Sequence, residues 1–270
     1  MATKKNCWLE LEDDKSLDDL PADATPEFDG DDDAAEKATD KLRDELLELQ
    51  SRLYAERRHA VLIVFQAMDT GGKDSTIRRV FSGVDPAGIR MARFGRPSEE
   101  ELAHDYLWRV HQHTPTRGNI VIFNRSHYED VLVVRTNNLF PEPVWRRRYE
   151  HIRGFERLLA DEGTTILKFY LHIDRDEQRA RLQDRLDKPD KHWKFDAHDL
   201  EQRKLWPEYM AAYADAIRET SRPFAPWYII PSNRKWYRDY AVMSIIVQAL
   251  RELDPQYPEP DFDPKKIRLE

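Results

Sequence analysis

The sequence predicts an α/β fold, a five-stranded parallel sheet with helices on both faces, and three observations carry that prediction. Apolar runs near residues 61–66, 89–94, 119–124, 165–173 and 226–231 read as buried strands, with helical patterns between them. The first run leads at once into a glycine-rich turn, Asp69-Thr70-Gly71-Gly72-Lys73-Asp74-Ser75, and then into a helix. Polar clusters stand at the carboxyl ends of strands, where open parallel sheets bind ligands: this turn, Asn124 to Asp130, and Ser232-Asn233-Arg234-Lys235-Trp236.

Taken in order, residues 1–33 form an acidic arm, extended or partly ordered, which Trp8, Leu9, Leu11, Leu17, Leu20 and Phe28 can pin to the body. Asp33 reads as a helix cap, and Leu42, Leu46, Leu49 and Leu53 share one helical face. The main body is expected over residues 34–257, with a tail over 258–270. Ser98 and the acids after it open a helix expected to run to about His113. A helix over 144–162 alternates arginines with apolar residues, and Gly163 stops it. Asp174 caps a helix carrying Arg175, Arg179, Arg181 and Arg185; a Pro189 tip and a second helix from about Asp199 follow. This hairpin, about 175–200, has the design of a closing lid, though a plain charged hairpin has the same pattern. A long helix over 201–220 and a final one over 239–253 complete the layers.

Charge is uneven. The net charge is −8, but residues 10–33 hold twelve acidic side chains and one lysine, which leaves the rest of the chain at +3. A mildly basic body is compatible with a polyanionic ligand. The single cysteine, Cys7, excludes an internal disulfide and fits a reducing cytoplasm. No apolar run reaches membrane-span length and the first residues are no signal peptide, so a cytoplasmic protein is expected, with neither membrane nor nucleic acid as partner.

The turn after the first strand has the parts of a phosphate loop. Gly71 and Gly72 let the backbone approach an anion, N–H groups at the helix start point at it, and Lys73 supplies a point charge. It departs from G-x-x-x-x-G-K-[ST] at Ala67 and Asp74. By itself it is equally a turn with two glycines and a surface lysine. Joined to a cationic lid and nearby carboxylates, it describes phosphoryl transfer. Asp69 and Asp74 are the carboxylates beside Lys73; Asp69 is the expected Mg²⁺ ligand, with helix capping as the competing role for either.

Six blocks, QAMDTGGKDSTIRRVF, DYLWRVHQHTP, IFNRSHYEDVLVVR, ADEGTTILKFYLHI, RLDKPDKHWKF and APWYIIPSNRKWYR, resemble the polyphosphate kinase 2 family over about residues 42–257. The resemblance implies a P-loop kinase fold related to thymidylate kinase, and Mg²⁺-dependent, reversible transfer of a terminal phosphate between inorganic polyphosphate and nucleotides. Asp69, Gly72 and Lys73 match the family's Walker A loop, Asn124 and Arg125 its Walker B segment, and Arg185 with Lys188 and Lys194 its lid. Asn124 stands where many relatives have Asp, as in the subgroup, often called class III, that accepts both AMP and ADP. An acceptor phosphate oxygen is already anionic and needs no strong base there. Homodimers or homotetramers are implied by resemblance alone.

Phosphate contacts are expected from Gly71, Gly72, Lys73, Asp74 and Ser75. Arg78, Arg79 and some arginines over 146–157 are candidates for the path of the donor chain. Arg93, Phe94, Tyr106 and Glu129 are nucleotide-side candidates, with core packing competing for Phe94 and Tyr106. Two other functions remain open: an ATP-dependent nucleoside or nucleotide kinase of this fold, and a non-catalytic module binding polyphosphate or nucleotide.

Overall fold

The computed structural model describes residues 6–269. The chain runs α1 (Asp32–Glu56), β1 (Ala60–Gln66), α2 (Lys73–Val80), β2 (Ile89–Arg93), α3 (Glu99–Ala103), α4 (Trp108–His111), β3 (Ile120–Asn124) and α5 (Glu129–Thr136). It continues through α6 (Glu142–Asp161), β4 (Thr164–His172), α7 (Arg175–Asp187), α8 (Ala197–Lys204), α9 (Trp206–Thr220), β5 (Trp227–Pro231) and α10 (Lys235–Leu253).

All four strand pairings are parallel, in the order β2-β3-β1-β4-β5. β1 is central and buried along its whole length. Successive side chains of a strand point to opposite faces, so Leu62 and Val64 pack towards α5, α6 and α9, while Val61, Ile63 and Phe65 pack towards α1, α2 and α10. Phe65 is level with Asn124 on one side and Phe169 on the other. The turns leaving β1 and β3 therefore lie side by side at the carboxyl edge.

One charged pair lies wholly inside. Lys168 of β4 faces α6, donates to Glu156 at 2.6 Å, and neither side chain is more than 1% exposed. Glu156 also accepts from the Tyr128 hydroxyl at 2.8 Å and stands 3.2 Å from His127 Nε2. Burial drives the Lys168 ammonium down to about 8. The pair anchors the turn after β3 to the layer beneath it.

Several element boundaries differ from expectation. Asp31, not Asp33, caps α1, accepting from the Ala34 N–H at 2.9 Å; Asp32 and Asp33 fall in the first turn, where the helix dipole favours them. The helix expected to reach His113 is two short ones, because the Asp105 carboxylate accepts from the Leu107 N–H at 3.0 Å and closes a turn between them. The long helix over 201–220 breaks at Leu205 into α8 and α9, since Pro207 lacks an N–H and its ring opposes the Arg203 carbonyl. The polar cluster after β3 continues as α5, and α10 starts four residues earlier than expected, at Lys235.

Residues 1–5 of the arm lie outside the described residues; residues 6–33 are better ordered than their composition suggests. Leu9 pairs with Ile229 as an antiparallel bridge on the free edge of β5, and Trp8 meets Tyr228 edge-on at 4.9 Å. Leu17 is fully buried, and the Asp18 carboxylate accepts from the Trp206 indole at 3.0 Å. Asn233 N–H donates to Ala22 O at 3.0 Å, so the arm also braces the turn after β5.

Candidate active site

The turn between β1 and α2 wraps tightly. Gly72 stands at φ 102° and ends the loop as the cap position of α2, without a side-chain cap bond. A side chain there would be strained and would collide with Arg238 Nη1. A Cβ on Gly71 would come within 2.5 Å of the Ala67 Cβ and 2.8 Å of the Met68 carbonyl. Both glycines are thus required by the shape of the loop, and Ala67 fits where a larger residue would not.

Lys73 is the first residue of α2. Its ammonium donates back to Ala67 O at 2.9 Å and Met68 O at 3.5 Å, crossing the loop from helix to strand. Burial first, then the Arg125 guanidinium, push the lysine below its ordinary value. A poorly compensated cation at a helix start is the electrostatics of an anion site.

The β3 turn faces it. Arg125 has φ 62°, a left-handed conformation that is costly for arginine. It is held by its N–H on Phe65 O at 3.2 Å and by its guanidinium 3.2 Å from Asp69 and 3.7 Å from Glu129. Ser126 Oγ accepts from Gln66 Nε2 at 3.1 Å, tying the ends of β1 and β3 together. Burial raises the Glu129 carboxyl, against the opposing pull of Arg125 and Lys73. The Asn124 amide donates to Asp74 Oδ1 at 2.9 Å, and Arg93 reaches the same oxygen at 3.0 Å. Neither Asp69 nor Asp74 caps α2. Ser75 Oγ donates to Gly72 O at 2.8 Å.

Other expected residues take varied positions. Phe94 packs in the core, edge-on to Phe123 at 4.9 Å. Tyr106 carries the Arg148 guanidinium 4.6 Å above its ring and lines a cleft of about 500 Å³ against Val144, Arg147 and His151. Arg79 is paired with Glu36 at 2.5 Å, while Arg78 is exposed on the last turn of α2. In α6, Arg146, Arg153 and Arg157 pair with Glu142, Glu219 and Asp161.

The hairpin expected to act as a lid consists of α7, a 3₁₀ turn over Pro189–Lys194, and α8. Arg185 donates to Lys194 O at 2.8 Å and Asp199 at 3.1 Å. Asp199 is raised to about 6, by burial first and next by the field of Asp69, which sets the lid pair towards the loop. Lys188 pairs with Asp184 at 2.6 Å, and Lys194 lies over its neighbour Trp193.

Three residues that sequence reasoning did not single out for the site belong to it. Gln178 donates to Asp69 O at 3.1 Å, and Arg181 bridges Thr70 O at 3.0 Å and Ser232 O at 2.6 Å. They lie three apart on α7, so a polar pair at helical spacing was their only signal. Arg238 of α10, the third, was marked only as the last residue of the APWYIIPSNRKWYR block.

A strand, glycine loop and lysine-started helix at the centre of this sheet order define a P-loop kinase. A family profile for polyphosphate kinase 2 matches residues 29–258, and the chain belongs to that family. It is 60% identical over 248 residues to an AMP/ADP-polyphosphate phosphotransferase of Meiothermus ruber, covering 92% of this chain and 93% of that one. It is 45% identical to an ADP-polyphosphate phosphotransferase of Rhodopseudomonas palustris, covering 79% and 78%. The crystal structure of polyphosphate kinase 2 from Arthrobacter aurescens TC1 superposes with a TM-score of 0.92 at 37% identity, covering 97% and 95%.

Among the described residues, no group of three or more His, Cys, Asp or Glu side chains forms a metal cage. No helix among them is long and apolar enough to cross a membrane.

Proposed function

We propose that this protein is a polyphosphate-dependent nucleotide kinase, transferring the terminal phosphate of inorganic polyphosphate to AMP and ADP. The observation that carries it is the meeting of Lys73 and Gly72 with the Asp69–Arg125 and Asp74–Asn124 pairs at one sheet edge. The named relatives support the choice of substrates.

The acceptor's phosphate oxygen attacks the terminal phosphorus of the donor. The phosphoanhydride bond behind that phosphorus breaks, and the shortened chain leaves with the bond's electron pair. AMP becomes ADP and ADP becomes ATP. The protein's task is positioning and charge neutralisation. Lys73 exchanges two loop carbonyls for donor phosphate oxygens. Arg125, fixed by its backbone, offers its guanidinium from the other wall. Arg185 enters from the lid by leaving Lys194 O and Asp199. Asn124 meets Asp74 as a neutral donor, so no second carboxylate repels the acceptor phosphate.

A kinase of this family requires a divalent metal. One partly exposed carboxylate, Asp69, beside a phosphate loop fits Mg²⁺ held between protein and substrate oxygens, the usual way Mg²⁺ is bound. When bound there, the ion would neutralise charge on the transferring phosphate. Assembly as dimers or tetramers belongs to the same reading; sedimentation velocity tests it.

The test is purified protein with AMP, Mg²⁺ and polyphosphate, without ATP. Formation of ADP and ATP supports the proposal. Phosphorylation of a nucleoside or nucleotide only with added ATP would replace it by an ATP-dependent kinase, and binding without turnover by a non-catalytic module.

A further inference from the structure

The polyphosphate reading leaves one question open: which way the donor chain runs once its end lies in the phosphate loop. The expected candidates are poorly placed. Arg79, Arg146, Arg153 and Arg157 are neutralised by carboxylates of their own. Arg78 lies five residues beyond Lys73, about 7.5 Å along the helix and away from the loop.

The opposite flank is different. Arg238 is 1% exposed, and its Nε and Nη2 both bond Asp239 Oδ1, at 2.9 and 2.7 Å. Its Nη1 has no hydrogen-bond partner and stands where a Cβ on Gly72 would be. A buried guanidinium nitrogen without an acceptor is costly. Here it puts positive charge directly behind the last glycine of the loop.

Lys235 lies three residues earlier, on the same face of α10. It is exposed, and it makes no ion pair among the described residues. Burial first, then Arg181 and Arg238, lower its ammonium against the opposing pull of Glu177 and Asp184, so the three cations share one neighbourhood with two carboxylates. Glu177 and Asp239 pair with Arg181 and Arg238, and Asp184 pairs with Lys188 and Lys191, which leaves Lys235 without an ion-pair partner of its own among the described residues. Lys235 also opens a 19-residue helix whose cap residue, Arg234, makes no side-chain cap bond, so the first N–H groups and the positive end of the dipole face the same space. Arg181 joins this helix start to the phosphate loop by donating to Ser232 O and Thr70 O.

We propose that the polyphosphate donor leaves the phosphate loop over the N-terminus of α10, where Lys235 and the first N–H groups of the helix hold the phosphates behind the reacting one, with the unpartnered Nη1 of Arg238 behind Gly72. This rests on the polyphosphate reading and adds a direction to it. Donor affinity then depends on chain length through α10, and acceptor affinity does not.

The test measures steady-state kinetics of wild type, Lys235→Ala, Lys235→Glu and Arg78→Ala, with tripolyphosphate and with long-chain polyphosphate as donors. Lys235 is a surface residue without a partner, so its variants are expected to fold, and circular dichroism confirms it. The expected result is a KM for long chains raised about threefold to fivefold by Lys235→Ala and further by Lys235→Glu, a smaller rise for tripolyphosphate, and an unchanged KM for AMP. An unchanged donor KM, an equal rise for donor and AMP, or a larger effect from Arg78→Ala would overturn it. A wild-type enzyme that cannot use polyphosphate at all would instead remove the underlying reading, and shows itself before any variant is compared.

Discussion

The side-chain amide of Asn124 donates to the carboxylate of Asp74 at 2.9 Å, joining the end of β3 to the first turn of α2. Asp74 replaces the hydroxyl residue usual at this place in a phosphate loop, and Asn124 stands where the family resemblance implies an acid in many members. The two substitutions answer one another: an amide and a carboxylate attract where two carboxylates would repel.

Asn124→Asp therefore puts two acids at hydrogen-bond distance beside the acceptor. The expected outcome is a fall of about tenfold in kcat/KM for AMP, corresponding to roughly one unit of mutual pKa perturbation. Asp74→Asn in the same chain restores most of it. A double-mutant cycle in a coupled ADP assay checks both, and additive losses would show that the pair is not a unit.

Lys73→Ala removes the cation that crosses the loop. Transfer is expected to fall by at least about a hundredfold, with far-ultraviolet circular dichroism unchanged. Residual activity near wild type would refute the phosphate-loop assignment.

Asp199 carries a pH signature. Its pKa is raised from 3.8 to about 6 in the folded chain, so the folded state holds this proton more tightly than the unfolded one. Stability falls as pH rises through that interval, and the cost is fully present above about pH 6. Asp199→Asn removes the cost. Its Tm is expected to exceed wild type at pH 8 and to match it near pH 4, by differential scanning fluorimetry.

Glu156 and Lys168 pair where water cannot reach either. Glu156→Ala strands the ammonium and is expected to destabilise by about 3–5 kcal/mol in urea unfolding. Glu156→Gln with Lys168→Met recovers most of that, because no lone charge remains. The truncated variant is also expected to lose activity below its melting range, since Glu156 accepts from Tyr128, three residues from Arg125.

Much of this site was legible from the chain alone. The glycine loop and Lys73 are consecutive residues, and their spacing is the motif. Arg185 is marked by the lid block of the family resemblance and Asp199 only as the start of the hairpin's second helix, and their bond to one another is a product of folding. Nothing local distinguishes Glu156 of α6 from an exposed acid, because its partner Lys168 is on β4. Pro207 signals the break at Leu205, although residues 201–220 read as one helix.

The sequence by itself determined the five strands, their alternation with helices, the loop between β1 and α2 and the lid, because each is written in contiguous residues through periodicity, glycine placement and caps. Tertiary structure decided which of the many charges matter. Arg181, Lys235 and Arg238 lie far along the chain from Gly72, and the crossover order β2-β3-β1-β4-β5 carries α10 back to the loop. It also decided which arginines are neutralised, since an ion pair depends on distance in space. Burial then sets how strongly each remaining charge is felt.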